Sequence, residues 1–120
     1  MANVDLDQFK DEDFCYLTTT GRVSGSPHTL EIWFALEGKT LYMLAGGREK
    51  SDWVKNILKF PIAQIKIGEN VFKGRGRVVE NEEEGKLARQ LVFDKYAPRD
   101  SDNLTDWART SLPVAIDLEM

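Results

Sequence analysis

Residues 39–60, KTLYMLAGGREKSDWVKNILKF, constrain the fold more than any other stretch. Leu41, Met43 and Ala45 alternate with Tyr42 and Leu44 in the short apolar run of a strand. Gly46 and Gly47 end it, because residues without a Cβ let the chain turn sharply and let a ligand approach the backbone. Ser51 suits an N-cap and Asp52 a first helical turn. Trp53, Ile57 and Phe60 then recur at helical spacing, with Val54 and Leu58 beside them. The order is strand, glycine turn, helix, with Arg48 and Lys50 at the helix entry. A helix start exposes unpaired N–H groups and partial positive charge. Gly46, Gly47, Arg48, Lys50 and Ser51 around it make a place where phosphate fits, and equally an ordinary connection with solvated charges. Neither a P-loop nor a dinucleotide-binding glycine pattern is present here.

The rest of the chain supplies more strands. Residues 14–20 carry three threonines, which suit a half-buried pleated surface. A turn with two glycines, two serines and a proline fills 21–27 and contains Arg22. The second strand covers 28–36, with Leu30, Ile32, Phe34 and Leu36 on its core face and Thr29, Glu31, Trp33 and Ala35 on the other. Trp33 on that second face needs a cover, such as a partner subunit or a flat ligand. Glu37-Gly38 turns the chain into the third strand. After the helix and Pro61, residues 62–67 form the fourth strand, with Ala63, Ile65 and Ile67 inward. Residues 71–80 form the fifth, with Phe72, Gly74, Gly76 and Val78 on one face and Lys73, Arg75 and Arg77 on the other. Glycines inside a strand mark bending or close approach of another group.

Asn81 caps a helix over 81–96, with Glu84 three residues on as in a capping box. Its expected buried stripe is Leu87, Leu91 and Val92. A loop at 99–103, a short helix at 104–111 carrying Trp107, and a last strand at 114–118 complete the chain. A short helix within 3–13 is expected to pack on the end. Short connections imply mainly antiparallel pairing. Six strands, two inserted helices and bending glycines predict a small, partly open β-barrel of α+β class, mainly β.

A length of 120 residues predicts a single domain spanning 1–120. Hydrophobic content of 42% and charged content of 30% are globular values, so disorder is excluded. The poor surface-to-volume ratio of so small a chain favours a partner subunit, hence a homodimer. A net charge of −4 argues against general nucleic-acid binding. The one cysteine, Cys15, rules out an internal disulfide and any multi-cysteine metal site, and reads as a buried structural thiol. No secretory signal or membrane span is visible, so a cytoplasmic chain with no membrane partner and no metal is expected.

The segments LTTTGRVSGSPHTLEIWF, LYMLAGG, KSDWVKNI and GRGRVV together resemble the split β-barrel flavin/deazaflavin oxidoreductases, and most of all the deazaflavin (F420)-dependent nitroreductase family. The resemblance covers residues 16–96. A related branch resembling pyridoxamine-phosphate oxidase, often FMN-binding, shares the strand pattern seen at Pro27, His28, Trp33 and Phe34. The resemblance implies a pyridoxamine-phosphate-oxidase-like split barrel, a homodimer, and a flavin-like ring in a groove near the subunit interface. It also implies basic groups around the cofactor's phosphate-bearing tail, at Arg22, Gly46, Gly47, Lys50, Ser51, Trp53 and Asn56. The family usually has a lysine after the Gly-Arg and an arginine near the start of the second strand; here these are Val23 and His28. His28 could bind phosphate if protonated, or be an ordinary strand-edge histidine.

The implied activity is hydride transfer from coenzyme F420 to a small flat or unsaturated substrate. The cofactor carries the chemistry, so no catalytic residue is assigned. FMN as cofactor, or a non-catalytic carrier of a flavin or haem, are the alternatives. One His and one Cys leave little for a hydrolase.

Overall fold

The computed structural model describes residues 6–100 and 102–119. One curled sheet of seven strands organises them: β1 (Cys15–Thr20), β2 (Pro27–Ile32), β3 (Ala35–Glu37), β4 (Thr40–Ala45), β5 (Ile62–Ile67), β6 (Asn70–Val78) and β7 (Leu112–Glu119). The order is β2-β1-β5-β6-β7-β4-β3, and every pairing is antiparallel. Helices α1 (Asp52–Lys59), α2 (Glu82–Tyr96) and α3 (Thr105–Thr110) flank it. The helix expected within 3–13 is a single 3-10 turn, Leu6–Phe9, with both end residues buried; its positions 3–5 lie outside the described residues.

Seven strands stand where six were expected, because the stretch 28–36 is two strands. β2 pairs with β1, whereas β3 pairs with β4 at the opposite end of the sheet. The residues between them, Trp33 and Phe34, carry the chain from one sheet edge to the other, which draws the sheet into a barrel with a split at that point. Phe34 has no ladder partner there, yet it is fully buried. Its N–H donates to the Tyr96 hydroxyl at 3.1 Å, and its carbonyl accepts from the Lys95 ammonium at 2.9 Å. The single Tyr96 hydroxyl proton has the Asp13 carbonyl at 2.8 Å and the Phe34 carbonyl at 3.2 Å. Lys95 also lies 3.7 Å over the Phe34 ring. The end of α2 thus supplies the polar groups that a neighbouring strand would otherwise supply. Burial raises the Tyr96 hydroxyl pKa to about 12 and lowers that of Lys95 to about 8.

Inside the curl, Leu17, Leu41, Met43, Ile65, Ile67, Val114 and Ile116 meet Val54 and Ile57 of α1. Gly76 makes room for that helix: a Cβ there would stand 2.7 Å from Ile57 Cγ2. Cys15 is fully buried in this core, and burial pushes its thiol up to about 12, so it is inert. On the outer face, Tyr42, Leu44 and Ala115 lie under α2. This explains the apolar run of β4 and the burial of β7 over successive residues: both of their faces are covered.

Two helix faces differ from expectation. On α2 the buried residues are Gly85, Ala88, Val92 and Tyr96, while Leu87 is exposed; small residues let the helix lie close to the sheet. On α1 the buried residues are Val54, Asn56 and Ile57, with Leu58 and Phe60 exposed. Asn81 caps α2 by accepting from the Glu84 N–H at 2.8 Å, but the Glu84 carboxylate does not complete the box. Instead it accepts two bonds of 2.7 Å from Arg77 and one of 2.7 Å from Tyr42. Arg77 also donates to Asp117 at 2.7 Å, so one guanidinium joins β6, β7 and α2. The Arg77 and Tyr42 bonds hold the Glu84 carboxyl down at about 2, and Arg77 lowers that of Asp117.

A Tyr96→Phe exchange keeps the ring and leaves the Phe34 N–H without an acceptor. It should cost about 1–3 kcal/mol in urea unfolding, the usual penalty for an orphaned buried donor. A carboxyl depressed in the fold contributes stability that is present above its ordinary value and lost as pH falls toward the folded value. Unfolding free energy should therefore drop between pH 4.5 and about 2. In Glu84→Gln that part of the drop should vanish, leaving the weaker slope of Asp117; an unchanged acid profile would contradict the assignment.

Candidate functional site

A cleft of about 520 Å³ opens between the turn after β1, strand β2 and the first half of α1. Arg22, His28, Trp53 and Asn56, four of the residues singled out from sequence, line it together. Thr19, Gly21, Val23, Ser24, Thr29, Leu30 and Asp52 complete the wall.

Asn56 is the hinge pin of this arrangement. It is 4% exposed, and its amide donates to Thr19 Oγ1 at 3.2 Å. Its Oδ1 accepts from the Arg22 backbone N–H at 3.1 Å and from Arg22 Nη1 at 2.9 Å. One side chain on α1 therefore fixes both the backbone of the turn and the direction of the guanidinium. Nη2 of Arg22 pairs with Asp52 Oδ1 at 3.1 Å, and Nη1 reaches the Asp52 carbonyl at 3.4 Å. The Asp52 side chain is 84% exposed, so this pair contributes about 1 kcal/mol or less. The turn closes through a Gly21 N–H bond to the Ser26 carbonyl at 2.7 Å. The His28 ring lies over Gly21, where a Cβ would stand 2.6 Å from Nε2.

The other sequence candidates sit elsewhere. Ser51 occupies the N-cap position of α1, but its side chain makes no capping bond; its hydroxyl lies against Gly47, 2.7 Å from where a Cβ there would be. Gly46 is backed by the Trp107 indole. Arg48 adopts a left-handed φ of 52° and donates to the Thr110 carbonyl at the end of α3. Lys50 is exposed in the turn leading into α1. This corner does not line the cleft, although it leads into the helix that does. Trp33 is also outside the cleft. Its cover is internal: it stacks on Tyr96 with centroids 4.3 Å apart and an interplanar angle of 2°, and meets Trp107 edge-on at 5.7 Å. Part of the cover that Trp33 needs thus comes from the chain itself, and the residue stays half-buried.

Thr19 and Asp52 escaped the sequence reading. Thr19 looked like one more strand threonine and Asp52 like a first-turn helix acid; neither carries a signal of its long-range partner. The lining combines apolar Trp53, Leu30 and Val23 with polar Arg22, Ser24, Thr29 and Asn56. That lining fits a planar ring joined to an anionic tail. Among the described residues no cluster of His, Cys, Asp or Glu is placed to hold a metal, and no helix is long and apolar enough to cross a membrane.

Known structures share this architecture. A structure described as an F420-H2 dependent reductase (FDR-A) is 24% identical, with a TM-score of 0.69 over 87% of this chain and 93% of its own. A domain-swapped dimer is 26% identical, with a TM-score of 0.69 over 91% and 81%. A structure from Listeria innocua named after pyridoxamine 5'-phosphate oxidase is 15% identical, with a TM-score of 0.70 over 96% and 90%. The fold is the split barrel shared by these flavin- and deazaflavin-type proteins. Residues 4–119 match the family described as F420H(2)-dependent quinone reductase. The chain belongs to that family and is an oxidoreductase whose cofactor is coenzyme F420.

Proposed function

We propose that the cleft between the 21–26 turn and α1 holds F420, and that the chain reduces a small flat substrate of quinone type. Bound F420H2 supplies the hydride. The observation that carries the reading is the convergence of Arg22, Asn56 and Trp53 on one cleft in a chain of this family. Arg22 offers a planar fork for phosphate oxygens, aimed by Asn56. Asp52 holds the other edge of that fork weakly, from an exposed position, so a phosphate can take its place. Trp53 gives a ring a flat apolar wall, with Leu30 beside it. Lys50 and Ser51, at the entry of the same helix, add a point charge and a hydroxyl on the approach. His28, which also lines the cleft, serves as a further donor to the tail.

The same reading makes the chain a homodimer. Tyr16, Val71 and Ile62 lie exposed on the uncovered outer face of β1, β5 and β6, and a similar structure is a domain-swapped dimer. Sedimentation velocity at micromolar concentration should give twice the chain mass of 13.7 kDa; a monomer at that concentration would end this part of the proposal.

Fluorescence titration of F420 tests the site. Arg22→Ala should weaken binding on the order of ten- to a hundredfold, the loss of charge-assisted hydrogen bonds. Asp52→Asn should strengthen it about threefold by removing a competing carboxylate from an exposed pair. Lys50→Ala should weaken it less, by an amount that disappears in high salt. Equal affinities in wild type, Arg22→Ala and Asp52→Asn would place the cofactor elsewhere.

A further inference from the structure

A second cavity, about 450 Å³, lies between α2 and α3 and shares no lining residue with the cofactor cleft. Three of its seven lining residues, Lys86, Arg89 and Arg109, are cationic, and none is acidic. Phe93 and Ala108 form an apolar floor. The carboxylates nearest these cations pull from outside the lining: Asp106 meets Arg109 at 3.3 Å, and Glu82 and Glu83 meet Lys86 only at 3.9 and 3.8 Å. All of these carboxylates are more than four-fifths exposed, so such pairs hold their cations loosely.

Arg89 is the built part of the site. Its guanidinium lies back along α2 above Gly85, where a Cβ would crowd Nη1 at 3.3 Å. Nη2 donates to the Ser111 carbonyl at 3.3 Å. Nε–H, in contrast, is buried and has no acceptor. A buried charged donor left unpaired is costly, and an incoming anion removes that cost. Inorganic anions alone do not fill a space of this size, and the Phe93 floor has no polar partner to offer.

We infer that the α2–α3 cavity binds a small phosphate monoester with an apolar body, its dianionic head on Arg89, Lys86 and Arg109 and its body on Phe93 and Ala108. The site stands independently of the cofactor reading, since it is separate from that cleft.

Nitrogen-15-edited NMR of the full chain gives a direct readout through the Arg89 Nε–Hε signal. Phenyl phosphate should move that signal saturably, and should bind several-fold tighter than inorganic phosphate or benzoate. Arg109→Ala should weaken binding about threefold and Arg89→Lys about tenfold or more, as charged hydrogen bonds are lost. Arg109 is exposed on α3, so its variant keeps the test sound even where Arg89→Lys disturbs packing. An unmoved Nε–Hε signal, a linear unsaturable shift, benzoate binding as well as phenyl phosphate, or unchanged affinity in Arg109→Ala would each overturn the inference.

Discussion

Phe34 leaves one edge of the sheet before it joins the other, and while it crosses no strand can serve its backbone. Tyr96 and Lys95, at the far end of α2, take over that duty. Much else follows from this repair. α2 must end where it does so that these side chains reach the split. Its small residues Gly85 and Ala88 let it lie close enough on the outer sheet face. Trp33 then has Tyr96 to stack on, and Trp107 of α3 closes the aromatic group beside it. A buried backbone N–H without such a partner would cost a sizeable share of the marginal stability of a chain this small.

The cleft beside α1 depends on a second long-range device. Asn56 ties the turn after β1 to α1 through Thr19 and Arg22. The turn would otherwise be a glycine- and serine-rich loop with many conformations, and the Arg22 guanidinium would have no fixed direction. Rigid placement of a cation before the anion arrives lowers the ordering cost of binding. The barrel core serves the same end, because Val54 and Ile57 bury one side of α1 and so turn Trp53 and Asn56 toward the cleft.

The strands and helices were legible because their signals are local. The alternation over 62–67 gave β5 its full extent, and Asn81 followed by acidic residues marked the start of α2. The split at Trp33–Phe34 was not legible, since alternation continues across it and only the two different pairing partners reveal the break. Leu87 misled because hydrophobicity was read as burial, while glycine and alanine formed the actual contact face. Arg22, Trp53 and Asn56, named through family resemblance and helix position, come together along one cleft. Thr19 and Asp52 were missed because their contacts are with partners 30 and 37 residues away. Gly46, Gly47 and Arg48 drew attention as a helix entry, yet the chain itself occupies that corner with Trp107 and Ser51.

On the proposed reading, the guanidinium fixed by Asn56 receives the anionic tail of F420. A crystal structure of the chain with F420 tests it most directly. The cofactor's phosphate should lie on Arg22, with the Asp52 carboxylate displaced from it and the ring along Trp53. Cofactor density outside this cleft, with the Arg22–Asp52 pair intact, would contradict it.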